Sequence, residues 1–147
     1  MARQKIITVV LVILFLMVMP VWGKEIHNAV YEGDIVKVKS LLAERPERLN
    51  ARNIDDMTPL HYAALKGYKD IADLLITKGA DVNAKDRYGK TPLYDTALSG
   101  QKDVAELLIK KGADVNAKDK DGKTSLNWAL EKGHGDIVKM LKDKGAL

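Results

Sequence analysis

The feature that most constrains the fold of this chain is an internal period of 33 residues. Threonine or glycine recurs at this spacing in three series: Thr58, Thr91 and Thr124; Gly67, Gly100 and Gly133; Gly79, Gly112 and Gly145. The segment Asp81–Asp86 also returns as Asp114–Asp119. A period of this length is typical of solenoids, in which each unit cannot bury its apolar side alone and packs on its neighbours. The sequence therefore predicts a stacked array.

Each period carries the pattern of two short helices. Thr58 is suited to cap a first helix, and Pro59 is suited to begin it because its fixed φ is already helical. Leu60 starts an apolar face that continues in two alanines, and Gly67 is expected to end this helix in the left-handed conformation. A second helix, with a broader apolar stripe, is expected over about residues 70–78.

The segments between helix pairs are expected to be extended, turn-rich fingers. Residues 81–90 form one such segment, and the corresponding segment follows Asp114. Asp86 and Asp119 are expected to open these turns by accepting hydrogen bonds from backbone amides just after them. Carboxylates that recur with the repeat are explained by this structural role.

The motifs resemble those of the ankyrin-repeat family. Thr58–His61 matches its Thr-Pro-Leu-His motif in full, Thr91–Tyr94 departs at the last residue, and Thr124–Asn127 departs at two. The segment Gly-Ala-Asp-Val-Asn-Ala occurs at Gly79–Ala84 and Gly112–Ala117. The resemblance covers about residues 25–147 and implies an all-α ankyrin-repeat solenoid.

The implied solenoid has four helix-turn-helix repeats joined by extended finger turns. The repeats are expected at about residues 25–53, 54–86, 87–119 and 120–147. The first is irregular, as expected of a capping repeat with a neighbour on one side only. In the last, Lys142 replaces the isoleucine found at Ile76 and Ile109, which predicts a face without a further neighbour.

Residues 1–23 differ in kind from the repeat domain at 24–147. Arg3 and Lys5 precede the apolar run Ile6–Met19, and Pro20 then precedes Gly23. This pattern predicts a signal peptide cleaved after residue 23, hence an exported, periplasmic or secreted protein of bacterial type. An uncleaved membrane anchor is the alternative, although a spanning helix needs about 20 apolar residues. The sequence has no cysteine, so no disulfide supports the fold.

The charge of the repeat domain is nearly balanced. Residues 24–147 contain 22 Lys and Arg and 20 Asp and Glu, so their formal charge is 22 − 20 = +2. Lysines in the fingers alternate with aspartates. A balanced surface gives little of the field that tracks a phosphate backbone, so nucleic acid is not an expected partner.

No catalytic or ligand-binding motif is found. The resemblance implies that His27 and His61 hydrogen-bond within the repeat framework, and His134 also falls at a common family position. No histidine pair has the spacing of a metal site, no serine lies in a nucleophile elbow, and no glycine-rich phosphate loop is present. We therefore expect no enzyme activity, cofactor, metal or small-molecule substrate.

A binding surface is instead predicted where the framework repeats but side chains vary. The outward sides of the first helices are expected to align into a concave strip, flanked by the fingers. Tyr62, Tyr88 and Trp128 are the aromatic residues expected to be exposed there, whereas Tyr94 is expected to pack inward. The predicted protein-binding residues are Tyr62, Lys66, Arg87, Tyr88, Lys90, Asp95, Ser99, Lys120, Lys123, Trp128 and Lys132.

The sequence thus predicts a non-catalytic module that binds a folded partner protein outside the cytoplasm, most simply as a monomer. The alternative is a membrane-tethered scaffold, in which the same repeats follow an uncleaved anchor. An enzyme is a distant alternative, because no nucleophile and base are paired in the sequence. The identity of the partner is not encoded in any motif.

Overall fold

The structure, a computed structural model, describes residues 24–147. The predicted signal peptide at 1–23 lies outside the described residues. Within them the chain is helical and contains no strand, which confirms the predicted all-α class. The helices are α1 (24–31), α2 (Ile35–Glu44), α3 (Pro59–Lys66), α4 (Lys69–Thr77), α5 (Pro92–Ser99), α6 (Lys102–Lys110), α7 (Ser125–Lys132) and α8 (Gly135–Asp143), with a 3-10 helix at Pro46–Asn50 after α2.

The helices form antiparallel pairs that stack into a solenoid, as predicted. The first helices α3, α5 and α7 pack side by side in one layer, and the second helices α4, α6 and α8 form the other. Each first helix also packs on its own second helix, as α5 does on α6. Contacts are therefore made within one repeat or between adjacent repeats, which is the property that defines a solenoid.

Equivalent leucines form the core between the two layers. Leu60 and Leu93 in the first helices are fully buried, as are Leu75, Leu108 and Leu141 in the second helices. Burying one such side chain contributes about 1.5–3 kcal/mol of transfer free energy. Alanines at equivalent places, such as Ala63, are also fully buried and let neighbouring helices approach closely. The period of the sequence is thus the period of the core.

Glycine ends each of three first helices in the predicted conformation. Gly67, Gly100 and Gly133 have φ angles of 74°, 78° and 74°. A residue with a Cβ atom is strained in this left-handed region, so glycine is the residue that turns the chain there most easily. The second helix then starts within two residues, which keeps each pair compact. In the second repeat it runs over Lys69–Thr77, close to the expected 70–78.

Aspartates open the finger turns in the predicted manner. Asp86 Oδ1 accepts hydrogen bonds from the backbone amides of Tyr88 and Lys90, both at 2.8 Å. Asp119 Oδ1 accepts the corresponding bonds from Asp121 and Lys123, both at 2.9 Å. Each carboxylate therefore fixes its turn, as an Asx-type turn does.

Backbone hydrogen bonds join consecutive fingers. The amide of Arg87 donates to the carbonyl oxygen of Asp55 at 2.9 Å, and the amide of Lys120 donates to that of Tyr88 at the same distance. The fingers therefore form a continuous edge. None of the helices between residues 24 and 147 is both long and apolar enough to cross a bilayer.

Candidate functional site

The solvent side of α1, α3, α5 and α7, together with the finger turns, forms one continuous surface. We call it the first-helix face. All the predicted protein-binding residues lie on α3, α5 and α7 or in the fingers. The stacking of the first helices brings them together as two clusters of aromatic rings and lysines, with further charged and aromatic side chains along the fingers.

The first cluster is centred on Tyr62. Its ring makes edge contacts with His27 and Tyr31, with centroids 5.4 and 6.3 Å away. Asn53 Nδ2 donates a hydrogen bond to Tyr62 Oη at 3.1 Å. Lys66 Nζ lies 3.8 Å from the centroid of the Tyr31 ring, within cation–π range. The half-buried Tyr62 therefore packs α3 on α1 as well as contributing to the face.

Tyr31 belongs to this cluster although the sequence analysis did not select it. It is 52% exposed and carries Lys66 above its ring. Aligning α1 on α3 with the spacing of 34 that relates Gly33 to Gly67 would have placed Tyr31 at the position of Leu65, next to Lys66. The irregular spacing of the first repeat obscured this correspondence.

The second cluster is centred on Trp128. Its ring lies 5.4 Å from that of Tyr94, and the Nζ atoms of Lys123, Lys132 and Lys90 lie 4.4, 5.8 and 6.0 Å from its centroid. Lysine ammonium groups at these distances are attracted by the ring quadrupole. Three predicted lysines of the third and fourth repeats therefore converge on the ring of one predicted aromatic residue.

Lys90 links this cluster to the finger before it. Its Nζ lies 5.3 Å from the centroid of Tyr88 and 4.8 Å from that of Tyr94. Lys123, in the next finger, forms an ion pair with Glu131 at 3.0 Å. The two finger lysines thus lie across the rings rather than extending freely into solvent.

Asp95 is not at the surface, so its predicted exposure is wrong. Its side chain is 5% exposed, whereas Tyr62 and Trp128, at the equivalent positions, are half-buried. The physical reason is the length of the side chain. α5 is packed between α3 and α7, and a short carboxylate does not reach past these neighbours, whereas an aromatic ring does. Burial, followed by the charge of Asp86, raises the pKa of Asp95 well above its usual range.

Tyr94 packs inward, as predicted. It is 3% exposed, and burial, followed by the charge of Asp119, raises the pKa of its phenol. Among the described residues, Tyr94 Oη, Asp95 Oδ2 and Trp128 Nε1 have no hydrogen-bond partner although each atom is buried. The centre of the first-helix face is therefore polar below its surface.

The fingers carry two exposed apolar side chains of the face. Tyr88 is 51% exposed and Ile54 is 83% exposed. Arg87 Nη1 lies 3.2 Å from Asp55 Oδ1 in the preceding finger, so this predicted binding residue is already engaged within the chain. Lys120 is exposed, whereas Ser99 is half-buried and donates from Oγ to the carbonyl oxygen of Asp95 at 2.7 Å.

The histidines connect neighbouring repeats, which agrees with their predicted framework role. His61 Nδ1 accepts from the amide of Thr58 at 3.1 Å, and its Nε2 donates to the carbonyl oxygen of Lys90 at the same distance. His27 Nε2 lies 2.9 Å from the carbonyl oxygen of Met57, and His134 Nε2 lies 3.3 Å from that of Leu98. Burial is the main cause that lowers the pKa of His61. Residues 24–147 contain no group of three His, Asp or Glu placed to hold a metal ion.

Comparison with known proteins gives one family. The family model described as "Ankyrin repeats (3 copies)" matches residues 26–119 and 88–147. The chain is 42% identical over 55 residues to "Transient receptor potential cation channel subfamily A member 1 homolog" of Caenorhabditis elegans, covering 37% of this chain and 4% of that protein. It is also 42% identical over 53 residues to "Ankyrin repeat domain-containing protein 49" of Homo sapiens, covering 36% and 22% of the two chains.

A similar segment occurs in a relative with a catalytic name. The chain is 37% identical over 57 residues to "NAD-capped RNA hydrolase NUDT12" of Homo sapiens, covering 39% of this chain and 12% of that protein. The matched segment spans less than a quarter of each of these relatives. The similarity is therefore limited to a repeat segment that these differently named proteins share.

Proposed function

Because this chain belongs to the ankyrin-repeat family, whose fold is typically a non-catalytic interaction module, we propose that it binds a folded partner protein through the first-helix face. The observation that carries the proposal is the convergence of Tyr88, Trp128 and their lysines on one side of the solenoid. The framework below them is fixed by the core leucines and the finger aspartates.

The residue types on this face suit an interface. Tyrosine and tryptophan carry a large share of binding energy when a partner covers them, often about 2 kcal/mol or more for each ring that is truncated. Tyr88 is half-exposed on its finger, and Trp128 presents the part of its ring that α5 does not cover. A partner that covers both rings would also meet the lysines that surround them.

The solvent side of α4, α6 and α8, which we call the second-helix face, provides less support for such a role. An open groove of about 720 Å³ lies between α6 and α8, but lysines, aspartates and a glutamate alternate along it and two of them already pair, Lys102 with Asp136 at 3.6 Å. Mixed exposed charges of this kind are usually solvated. The first-helix face is therefore the better candidate.

We further propose that the protein acts outside the cytoplasm and is a monomer. The support for export is the basic start, apolar run and small residue at Gly23 in the sequence. Mass spectrometry of the intact protein purified from its producing cells tests this, since cleavage predicts a chain that starts at Lys24. A chain that retains Met1–Gly23 would instead support the membrane-tethered alternative.

Capture of a partner tests the proposed surface. The immobilised chain is exposed to an extract of the cell envelope, and the same is done with Tyr88→Ala and with Tyr88→Ala plus Trp128→Ala. The matched control is Lys139→Ala plus Lys142→Ala, two exposed residues of α8 on the second-helix face. We expect the aromatic variants to lose the partner although their helical circular dichroism spectrum is unchanged, which shows that they remain folded. Undiminished capture by both of them would reject this surface.

A further inference from the structure

The three finger turns share one hydrogen-bonding pattern. In the first of them, Asn53 Oδ1 accepts hydrogen bonds from the backbone amides of Asp55 and Met57, both at 2.9 Å. Asp86 and Asp119 accept the corresponding bonds in the second and third turns. Residues 54, 87 and 120 are therefore structurally equivalent, and so are residues 56, 89 and 122. The side chains at these positions can be compared directly.

Asp56 has a backbone conformation that glycine adopts more easily. Its φ angle is 59°, and the equivalent Gly89 and Gly122 have φ angles of 79° and 77°. Between residues 24 and 147, Asp56 is the one residue other than glycine with a positive φ angle. Aspartate is tolerated in this region better than most residues, but its Cβ atom meets a steric cost that glycine does not have. Glycine would therefore suit the turn better.

The fold makes no use of the side chain of Asp56. Its carboxylate is exposed and takes part in no hydrogen bond or ion pair within the part of the chain that the structure describes. Arg52 Nη1 donates at 3.0 Å to the backbone carbonyl oxygen of Asp56 and not to its carboxylate. A strained residue that contributes no contact to the fold is typical of a binding site.

Ile54 is the second difference between the first finger and the others. Its side chain is 83% exposed, at the position where the other fingers have Arg87 and Lys120. A charged side chain is well hydrated at such a place, whereas an apolar one gains free energy only when something covers it. An exposed apolar side chain and an unpaired carboxylate thus lie two residues apart, on the turn that precedes that of Tyr88.

The charges around this turn are balanced. Asp55 is paired with Arg87 at 3.2 Å, and the guanidinium group of Arg52 lies at the carbonyl oxygen of Asp56. Two arginines thus offset two aspartates, so a neutral group of the partner suffices. A carboxylate can only accept hydrogen bonds, and its complement is therefore a neutral donor. The backbone amide of an extended segment is such a donor, because amides inside a helix are already bonded within it.

We propose that the first finger determines specificity: an extended segment of the partner packs an apolar side chain on Ile54 and donates a backbone amide to the carboxylate of Asp56. This inference rests on the proposed function and names the chemistry of the partner at one point of the first-helix face. Aspartate occupies a position suited to glycine because its carboxylate contacts the partner.

Titration of the full chain with its purified partner tests the proposal. The probe is the protein that the immobilised chain retains from the cell-envelope extract, and calorimetry measures the affinity. Asp56→Gly should weaken binding about tenfold, as expected for the loss of one hydrogen bond to a charged acceptor. Asp56→Asn removes the same charge but keeps an oxygen acceptor and tolerates a positive φ angle, so its affinity should stay within about threefold of that of the parent chain.

Ile54→Thr tests the apolar contact. Threonine keeps the branched Cβ atom but removes apolar surface equal to about two methylene groups, so binding should weaken about tenfold. Val36→Thr is the matched control, because Val36 is a branched apolar residue that is 74% exposed on α2, outside the first-helix face. This control should leave the affinity unchanged.

Urea unfolding separates a binding role of Asp56 from a structural one. Asp56→Gly should be at least about as stable as the parent chain, because relief of strain offsets the greater freedom of glycine in the unfolded chain. A clearly lower unfolding midpoint would overturn the proposal, since the carboxylate would then serve the fold. It is also overturned if Asp56→Gly or Ile54→Thr binds as tightly as the parent chain, if Asp56→Asn loses as much affinity as Asp56→Gly, or if Val36→Thr loses as much as Ile54→Thr.

The outcome is distinguishable from failure of the proposed function. If capture depends on Tyr88 and Trp128 but the affinity is indifferent to Ile54 and Asp56, the first-helix face stands and this inference falls. If the immobilised chain retains no protein, or capture is indifferent to the two rings, the proposed function fails and the inference falls with it.

Discussion

His61 Nε2 lies 3.1 Å from the carbonyl oxygen of Lys90, so one buried imidazole fixes the finger on which a lysine of the candidate site is placed. Nδ1 of the same ring accepts a hydrogen bond from the backbone amide of Thr58, so Nδ1 carries no proton. A neutral histidine of defined tautomer therefore connects the framework of one repeat to the binding residues of the next.

We predict that protonation of His61 destabilises the fold. Burial lowers the pKa of His61 in the folded chain, whereas in the unfolded chain it is about 6.5. Its contribution to stability is complete above the unfolded pKa and is lost as the pH falls through the folded pKa. The free energy of unfolding should therefore fall by up to about 1.4 kcal/mol per pH unit on acidification below about 6.5.

His61→Asn isolates this effect. The fourth repeat already has asparagine at the equivalent position. There Asn127 Oδ1 accepts a hydrogen bond from the backbone amide of Thr124 at 2.8 Å. The variant should keep the helix cap, lose the bond to Lys90 and show a shallower loss of stability below pH 6.5, measured by urea unfolding at several pH values. An unchanged slope would show that His61 is not the titrating group.

Asp95 should have the opposite dependence on pH. Burial raises its folded pKa above the unfolded value of about 3.9, so between the two values the folded state binds more protons than the unfolded state. Stability consequently falls as the pH rises through this interval, by up to about 1.4 kcal/mol per unit. We expect Asp95→Asn to be more stable than the parent chain at pH 7 and close to it at pH 3 in thermal unfolding. Equal stability of the two chains at both pH values would contradict the assigned burial.

The glycines that end α5 and α7 offer a matched pair of substitutions. Gly100 and Gly133 have nearly equal positive φ angles, so alanine should cost about 1–2 kcal/mol at either from backbone strain. At Gly100 the new Cβ would also lie 2.8 Å from Cε1 of His134, whereas at Gly133 no atom lies within 4 Å. We predict that Gly100→Ala is more destabilising than Gly133→Ala in urea unfolding. The reverse order would mean that His134 does not hold α5 against the last repeat.

The finger turns should depend on their first aspartate. Asp86→Ala removes the acceptor of two backbone amides, and we expect a loss of about 1–2 kcal/mol of stability, comparable to the loss of a helix cap. Asp121→Ala provides the control, because Asp121 contributes only its backbone amide to the equivalent turn. Hydrogen exchange of the Tyr88 and Lys90 amides should accelerate in the first variant. Protection equal to that of the control would exclude the proposed role of the carboxylate.

The repeat spacing predicted the framework well because framework residues act through local geometry. Gly67 must turn the chain at a fixed distance from Thr58. Asp86 must lie two residues before the backbone amide from which it accepts a hydrogen bond. Such requirements recur in every repeat, so the framework residues can be recognised within this single sequence. Tyr94 could also be assigned to the interior, since it replaces a buried histidine of the repeat.

Depth of burial on the first-helix face was harder to predict. A helical wheel gives Tyr62, Asp95 and Trp128 the same direction, but it does not give the distance to the neighbouring helices or the reach of each side chain. Asp95 is therefore buried where the two rings are half-exposed. The convergence of the lysines on Trp128 could not be predicted from sequence either, because Lys90 and Lys132 lie in adjacent repeats and approach the same ring only after α5 and α7 have stacked.

Site-specific photo-crosslinking tests the central claim most directly. A photoreactive phenylalanine is placed at Tyr88 or, as control, at Lys139 on the second-helix face, and the chains are irradiated with the captured partner. The account predicts a crosslinked product from position 88, mapped by mass spectrometry to one segment of the partner, and none from position 139. A product from position 139 with none from position 88 would contradict it.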